Sequence, residues 1–470
     1  MSTLQIDLFN DGLKDKRVKN KNTIRKIESV IELVIMAIAY YFMWKYKIFD
    51  KAYFFPFLGK GKYVLMGVYF VLMLVIIHLC EGFKYGILKI ADVLFSQWIA
   101  ILIVNGVTYF QLCLMANAMI PIKPLVWLSL IDFAVSLVCV YIFFAIYERY
   151  SKASKLLMVY GNKESVGLKL KMDTRADSYN IKKIVSIDEG EDAIFEMLNN
   201  YDGLVISDVS AEQRNDLLKY CYMHNIETYI TPKISDVIIG GGEGIHQFDT
   251  PLVMINTTGL TPEQAIVKRF FDLVLCIIAA VVLSPLMLIV AIAIKLEDHG
   301  PVFYKQARVT KDGKVFDILK FRSMVEDAEQ RPATDDDDRI TKVGHVIRAT
   351  RIDELPQIFN IIKGDMSIVG PRPERTEHVD KYTAAIPEFE FRSKVKGGLT
   401  GYAQIYGKYN TSAYDKIKLD LMYIENYSFL LDVKLVLMTI RIVFKKESTE
   451  GFDKVVTADE ILAELDNEQK

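Results

Sequence analysis

The chain of 470 residues is poor in the groups that most often announce a function. Its five cysteines, at 80, 113, 139, 221 and 276, form no Cys-x-x-Cys pair and have no histidine at ligand spacing. Neither a disulfide framework nor a structural zinc is expected. An excess of one charge is also lacking. Lys and Arg number 57 against 59 Asp and Glu, a net of −2, which argues against a globally basic binder of nucleic acid. The first 26 residues hold seven Lys or Arg and no small-residue cleavage site follows the first apolar run, so a removable signal peptide is not expected. Apolar residues, by contrast, are abundant. A hydrophobic content of 51% and a positive mean hydropathy point to a membrane portion. The length leaves room for two or three domains.

Four apolar stretches, near 27–44, 63–80, 93–120 and 124–147, are each about long enough to cross a hydrocarbon core. Together they predict a four-helix transmembrane bundle over residues 1–150. Glu28 and Glu32 in the first stretch lie toward its charged end, where a side chain can reach the interface. The centre of the bundle reads as an anchor without chemistry, and His78 as interfacial. Twelve Lys or Arg flank the spans on one side against six on the other, which places the N-terminus and residue 150 in the cytoplasm.

From Leu156 to about Val253, short β-rich runs (156–160, 184–187, 204–206 and 228–230) alternate with polar helical ones. This alternation predicts a small α/β domain with a mostly parallel sheet over 151–255. Its first turn, Tyr160-Gly161-Asn-Lys163-Glu164-Ser-Val-Gly167, lacks the middle glycine of a dinucleotide fingerprint, and Lys163 and Glu164 would crowd a pyrophosphate. The expectation is a Rossmann-like module without a bound dinucleotide. The glycine run at 240–244 reads as a flexible connection.

Another apolar run, Leu273 to Ile294, is interrupted by Ser284-Pro285. Proline removes a helical hydrogen bond, and a neighbouring serine can satisfy the freed carbonyl. Two shapes follow for 268–295: a kinked spanning helix, or a helix-break-helix that enters and leaves one leaflet. Cations at both ends, Lys268 and Arg269 before and Lys295 after, fit interfacial anchors on one face and favour the re-entrant form. That form also keeps the rest of the chain on the cytoplasmic side.

The densest chemistry lies at 351–374. Here Arg351-Ile-Asp353-Glu354-Leu-Pro356-Gln precedes an apolar helical run that Gly364 stops, and Val-Gly370-Pro371-Arg372-Pro373 follows. Proline is tolerated in a first helical turn, so a helix is expected to start near Asp353 and hold two adjacent carboxylates at its positive end. Such acids need cations, and Arg348 and Arg351 lie just upstream. Arg372, between two prolines, would present its guanidinium at a defined angle for a phosphate. Lys320, Arg322, Arg339 and Arg348 make a further cationic set. The four acids at 335–338 read as a hydrated loop rather than a metal site. Residues 429–444 suit either a helix lying on a bilayer or one packed on the domain core.

Asp-Glu-Leu-Pro-Gln, Lys-Gly-Asp-Met-Ser and Val-Gly-Pro-Arg-Pro, in that order, closely resemble the signature of the bacterial sugar transferases, which move a sugar 1-phosphate onto polyprenyl phosphate. Gly300 to Arg308, Phe316 to Met324, Arg339 to Gly344, Lys396 to Gln404 and Lys418 to Tyr427 resemble the same family in the same order, with Gly398 where a proline is usual. The resemblance covers the last 200 residues densely, and the front half is similar to that of the larger, multi-domain members. It implies a mostly α-helical catalytic domain over 256–470. It further implies transfer of a hexose 1-phosphate, glucose or galactose before N-acetylated sugars, from a UDP-sugar to undecaprenyl phosphate. Release of UMP would open capsule or exopolysaccharide synthesis at the bacterial inner membrane. By the same resemblance Asp353 is the nucleophile and forms an aspartyl phosphosugar, Glu354 holds Mg2+, and Arg348, Arg372, Lys320, Arg322 and Gln404 bind substrate or its phosphates. Membrane lipids are expected partners, nucleic acid is not, and a homodimer stays open. The rival class is a membrane scaffold with a dormant transferase domain.

Overall fold

The computed structural model describes residues 26–48, 61–150, 153–176, 178–247, 249–325, 339–408 and 411–443. The acidic run at 335–338 lies outside them. The chain parts into two compact units, one ending at Thr231 and the other starting at Pro232.

The first unit begins with four apolar helices, α1 (Lys26–Tyr46), α2 (Gly61–Leu79), α3 (Ile90–Ala116) and α4 (Lys123–Tyr150), each long and apolar enough to cross a membrane. They fall where the apolar runs predicted. Asn117 ends α3 in a left-handed conformation, which an asparagine adopts more readily than most residues. A parallel four-stranded sheet follows, in the order β2-β1-β3-β4. Its strands are β1 (Ser154–Tyr160), β2 (Tyr179–Ser186), β3 (Gly203–Ser207) and β4 (Glu227–Ile230). Helices α5 (Leu168–Asp173), α6 (Glu191–Leu198) and α7 (Ala211–Met223) make the crossovers that parallel pairing requires. In β1, Leu157 and Val159 enter the core shared with α6 and α7, whereas Leu156 and Met158 enter a second core on the α5 side. The two-residue period of a strand thus explains why Leu-Leu-Met-Val is apolar without a break: both faces are covered.

The second unit opens with α8 (Ile234–Gly240), whose Ile234 and Val237 pack with Ile417 and Leu421 of α14 (Ala413–Glu425). Residues 232–255, which the strand pattern groups with the α/β module, therefore belong here. The glycine run is not a flexible link. A Cβ at Gly241 would lie 2.4 Å from the Glu425 Cβ, and one at Gly242 equally close to Val253 Cγ1, so glycine is required by tight packing. The short hairpin β5 (Glu243–Ile245) and β6 (Leu252–Met254) follows.

Helix α9 (Pro262–Asp298) dominates this unit. It starts with Thr261 and Gln264 exchanging side-chain and backbone hydrogen bonds, with Pro262 in the first turn where its missing N–H costs nothing. The expected break at Ser284-Pro285 is absent: the helix continues through the proline. Pro285 leaves the Val281 carbonyl without its N–H donor, and the Ser284 hydroxyl donates to that carbonyl at 2.8 Å. Around α9 fold the antiparallel hairpin β7 (Phe303–Val309) and β8 (Val315–Phe321), α10 (Lys342–Ala349), α11 (Gln357–Lys363) and the parallel pair β9 (Ser367–Val369) and β10 (Gly398–Thr400). Helices α12 (Thr376–Ala385), α13 (Tyr402–Tyr406), α14 and α15 (Phe429–Val443) complete the unit. One face of α9 supplies Cys276 to a core with Ile318, Ile358 and Ile361, then Met287, Val290 and Ile294 to a core with Phe321 and Ile347. The remaining face carries Ile266, Phe270, Ile277, Val281, Leu288 and Leu296 exposed along the full length.

Candidate active site

Asp353 and Glu354 lie in a single 3₁₀ turn, Ile352–Glu354, between α10 and α11. The expected helix start at Asp353 gives way to two pieces, because Arg351 adopts a left-handed conformation (φ +58°) and α11 begins only at Gln357, after Pro356. The acids are therefore not held by the free N–H groups of a helix end. Gly364, at φ +102°, closes α11 as expected. Ile352 and Leu355 anchor the turn in the core formed with Met287, Val290 and Ile294 of α9.

Cations do the work assigned to the helix end. Glu354 Oε1 accepts from Lys320 Nζ at 2.7 Å and from Arg372 Nη2 at 3.0 Å. Burial opposes ionisation of Glu354, but Arg372 and Lys320 outweigh it and hold the carboxyl well below the usual range. Asp353 has neither hydrogen bond nor ion pair among the described residues. Burial pushes its carboxyl up, the Glu354 charge adds to this, and Lys320, Arg348 and Arg351 pull the other way. Two neighbouring acids thus differ in kind: one is locked as an anion between cations, and the other keeps both oxygens uncommitted.

Arg372 is half-exposed and held from behind. Arg392 donates to its carbonyl at 2.7 Å, and Arg308 donates to the carbonyl of Pro373 at 3.0 Å. Arg392 is itself paired with the buried Asp420 at 2.9 Å, and Glu374 lies 3.5 Å from Lys416. Burial raises the Asp420 carboxyl to about 6 against the pull of Arg392. The Pro-Arg-Pro loop therefore owes its position to remote charges as well as to its prolines. Arg392 escaped the sequence reading because its partners are distant in the chain; Asp420 falls inside the Lys418–Tyr427 motif, where a signal existed.

Other expected site residues take different places. Lys320 and Arg372 meet at Glu354, and Arg348, in the last turn of α10, is near enough to act on Asp353. Arg322 is buried and paired with Asp298 at the end of α9. Gln404 Nε2 lies 3.5 Å from the carbonyls of Gly370 and Gly398, beside the loop that carries Arg372. Gly398 belongs to β10, and a Cβ there would meet the Gly370 nitrogen. Lys268 is 6% exposed and bridges Asp432 at 2.6 Å, while Tyr423 donates to the other oxygen of Asp432 at 2.8 Å. Arg269 donates to the carbonyls of Ile361 and Ile362, the open end of α11. Asp432 and Arg441 are buried, and Leu435 and Met438 with them, so α15 packs on the domain core.

Among the described residues no cluster of three or more His, Cys, Asp or Glu is placed to hold a metal ion. The dyad fits a Mg2+ ion that takes one or two protein carboxylates and completes its shell with substrate phosphates and water. Because Lys320 and Arg372 occupy one oxygen of Glu354, the free oxygens are those of Asp353 and the second of Glu354.

The apolar helices are long enough to cross a membrane, and the carboxylate pair of the second unit is braced by Lys320 and Arg372. Residues 263–446 match the bacterial sugar transferase family. The chain is similar to a UDP-N-acetylgalactosamine-undecaprenyl-phosphate N-acetylgalactosaminephosphotransferase of Aeromonas hydrophila, 41% identical over 51% of this chain and 58% of that protein. It is also similar to UDP-glucose:undecaprenyl-phosphate glucose-1-phosphate transferases. The one from Klebsiella pneumoniae is 34% identical over 53% of this chain and 54% of that protein. The one from Caulobacter vibrioides is 40% identical over 41% of this chain and 75% of that protein. The chain belongs to the bacterial sugar transferase family. It spans about half the length of the first two relatives.

Proposed function

We propose that this protein transfers a sugar 1-phosphate from a UDP-sugar to undecaprenyl phosphate, releasing UMP, as the first membrane step of a capsule or exopolysaccharide. The observation that carries this reading is the convergence of Lys320 and Arg372 on one oxygen of Glu354, beside an Asp353 without partners. The chemical difficulty is attack on a phosphorus crowded by negative oxygens. Arg372 and Lys320 lower that charge, and Glu354 keeps both cations aimed at the site. Asp353 attacks the phosphorus that carries the sugar, the bond to UMP breaks, and an aspartyl phosphosugar forms. A lipid phosphate oxygen then displaces the carboxylate, since an acyl phosphate is a reactive donor. Mg2+ held by the free oxygens of Asp353 and Glu354 would supply further neutralisation of the diphosphate.

The N-terminal helices are read as a four-helix bundle in the inner membrane and the parallel sheet as a Rossmann-like module. We read α9 as a helix that stays in one leaflet. Its N-terminal part is tied to this unit through Lys268–Asp432 and through Asp272, which accepts from the Ile368 N–H. Its C-terminal part is tied to the same unit through Glu297, which accepts from the Lys342 N–H, and through Asp298 with Arg322. A helix crossing the bilayer would hold those attachments apart by about 30 Å of hydrocarbon. A one-leaflet path keeps the site on the cytoplasmic face, where UDP-sugars and the lipid phosphate meet.

The relatives' names divide between UDP-glucose and UDP-N-acetylgalactosamine, so the donor class is a UDP-hexose with or without a 2-acetamido group. The test is to incubate the purified protein with labelled UDP-glucose, UDP-galactose and UDP-N-acetylgalactosamine, Mg2+ and undecaprenyl phosphate. UMP and labelled lipid from one donor are expected; no turnover with any UDP-sugar removes the proposal. Without the lipid, stoichiometric UMP release with label on Asp353 is expected of the two-step route, and no release would favour direct transfer.

A further inference from the structure

The N-terminal helices contain a second set of carboxyl groups, which the transfer chemistry does not use. Their interior is not the plain anchor that the apolar runs suggest. Glu32 of α1 is 0% exposed, and its Oε2 accepts from the Tyr85 hydroxyl at 2.5 Å and the Gln97 amide at 3.0 Å. The other end of the Gln97 amide accepts from Ser136 of α4 at 2.7 Å. One helical turn before Ser136, Asp132 is equally buried, and its Oδ2 accepts from Tyr69 of α2 at 2.8 Å and Asn105 of α3 at 3.2 Å. Asn105 also donates to Ser129 at 2.9 Å. Polar groups from all four helices thus form two linked clusters inside apolar walls.

Both clusters are short of positive charge. Among the described residues no Lys, Arg or His lies within salt-bridge distance of Glu32 or Asp132. The titratable groups facing Glu32 are Tyr85 and Cys139, and those facing Asp132 are Tyr69 and, stacked on it at 4.3 Å, Tyr40. None is a cation. Each acid also keeps one buried oxygen, Glu32 Oε1 and Asp132 Oδ1, with no hydrogen-bond partner. An ionised carboxylate in such surroundings costs several kcal/mol unless a cation or a proton compensates it. The network supplies neutral donors to one oxygen of each acid and leaves the other oxygen open.

We propose that Glu32 and Asp132 form a proton-binding site within the membrane part, each acid carrying a proton on its unpartnered oxygen. This inference rests on reading α1–α4 as membrane helices and is independent of the transferase reading. A proton is the smallest ligand that neutralises each acid, and the tyrosine and amide donors hold the acid in place in either state. Loss of either proton would put a bare charge inside the helices, so occupancy of the site is coupled to their packing.

The test is infrared spectroscopy of the full-length protein in lipid nanodiscs, read at the carbonyl stretch of protonated carboxylic acids, which moves down in D2O. At neutral pH the wild type is expected to show this band, and Glu32→Gln and Asp132→Asn, which preserve shape and acceptor oxygens, are each expected to remove one component. Spectra of wild type and both variants that coincide in this region would overturn the proposal. Should a variant fail to fold, wild-type protein with heavy-carbon Glu and Asp carboxyls gives the answer alone: absence of a labelled protonated band at neutral pH sinks it. Ionised-carboxylate bands that change when sodium replaces a bulky organic cation would overturn it in favour of a metal cation.

Discussion

Glu354 is partly buried and Glu32 fully so, and each accepts two hydrogen bonds at a single carboxylate oxygen. At Glu354 the donors are the charged Lys320 and Arg372; at Glu32 they are a phenol and an amide. The first arrangement keeps an anion ionised and makes it an instrument for aiming cations. In the second, hydrogen bonds are supplied but charge is not balanced, so the balance must come from a ligand. Local burial is therefore a poor guide to what a buried acid does, and the charge of its donors is a better one.

The hardest test of this contrast is at Asp353, the acid with no partner. Asp353→Asn is expected to lower UMP release by about a thousandfold or more, measured with the best UDP-sugar, since the nucleophile goes while its surroundings remain. Arg372→Ala leaves Glu354 with Lys320 alone and is expected to reduce kcat/KM by about a hundredfold, as loss of one transition-state charge contact does. A smaller, sharper effect concerns pH. The acid limb of kcat/KM should follow Asp353, whose carboxyl lies above its ordinary value, and not Glu354, which stays ionised. Glu354→Gln, which removes a like charge, should move the residual acid limb to lower pH, and Lys320→Met should move it higher. Shifts in the opposite directions would break the assignment. In stability the two glutamates should part again. Glu354→Gln strands two cations and is expected to cost about 1–2 kcal/mol in denaturant unfolding, the half-exposure of Arg372 reducing the larger cost of a fully buried pair. Glu32→Gln strands none and should change the unfolding midpoint little. The smallest effect is expected at Ser284→Ala, about 1 kcal/mol for leaving the Val281 carbonyl without its hydroxyl donor.

Much of the architecture could be read in advance because it rests on local pattern. The apolar runs became helices, the unbroken Leu156–Val159 run became a doubly covered strand, and Gly364 ended its helix. The dyad and its two cations were legible through the motifs that Lys320, Asp353, Glu354 and Arg372 carry. What escaped depends on contacts remote in sequence. The pairings of Arg322 with Asp298 and of Lys268 with Asp432 could not be read from the segment around either cation. Asp132 was hidden by its setting, since a single acid in an apolar helix does not alter the hydropathy pattern by which the helix is found. At Pro285 the loss of a helical hydrogen bond and its replacement by the Ser284 hydroxyl were both legible, whereas the continuity of the helix through the proline was not.

Helix α9 also determines how this protein can be divided. Cys276, Met287, Val290 and Ile294 are walls of the two cores that support the Asp353 turn. A fragment starting at Gly300 would bare Phe316, Ile318, Phe321 and Ile347 to water and lose the partners of Arg322 and Asp432. Cutting off the greasiest segment to obtain a water-soluble fragment would thus dismantle this unit. A water-soluble form would have to retain α9 and repaint only its outward side, at positions such as Ile277, Val281 and Leu288.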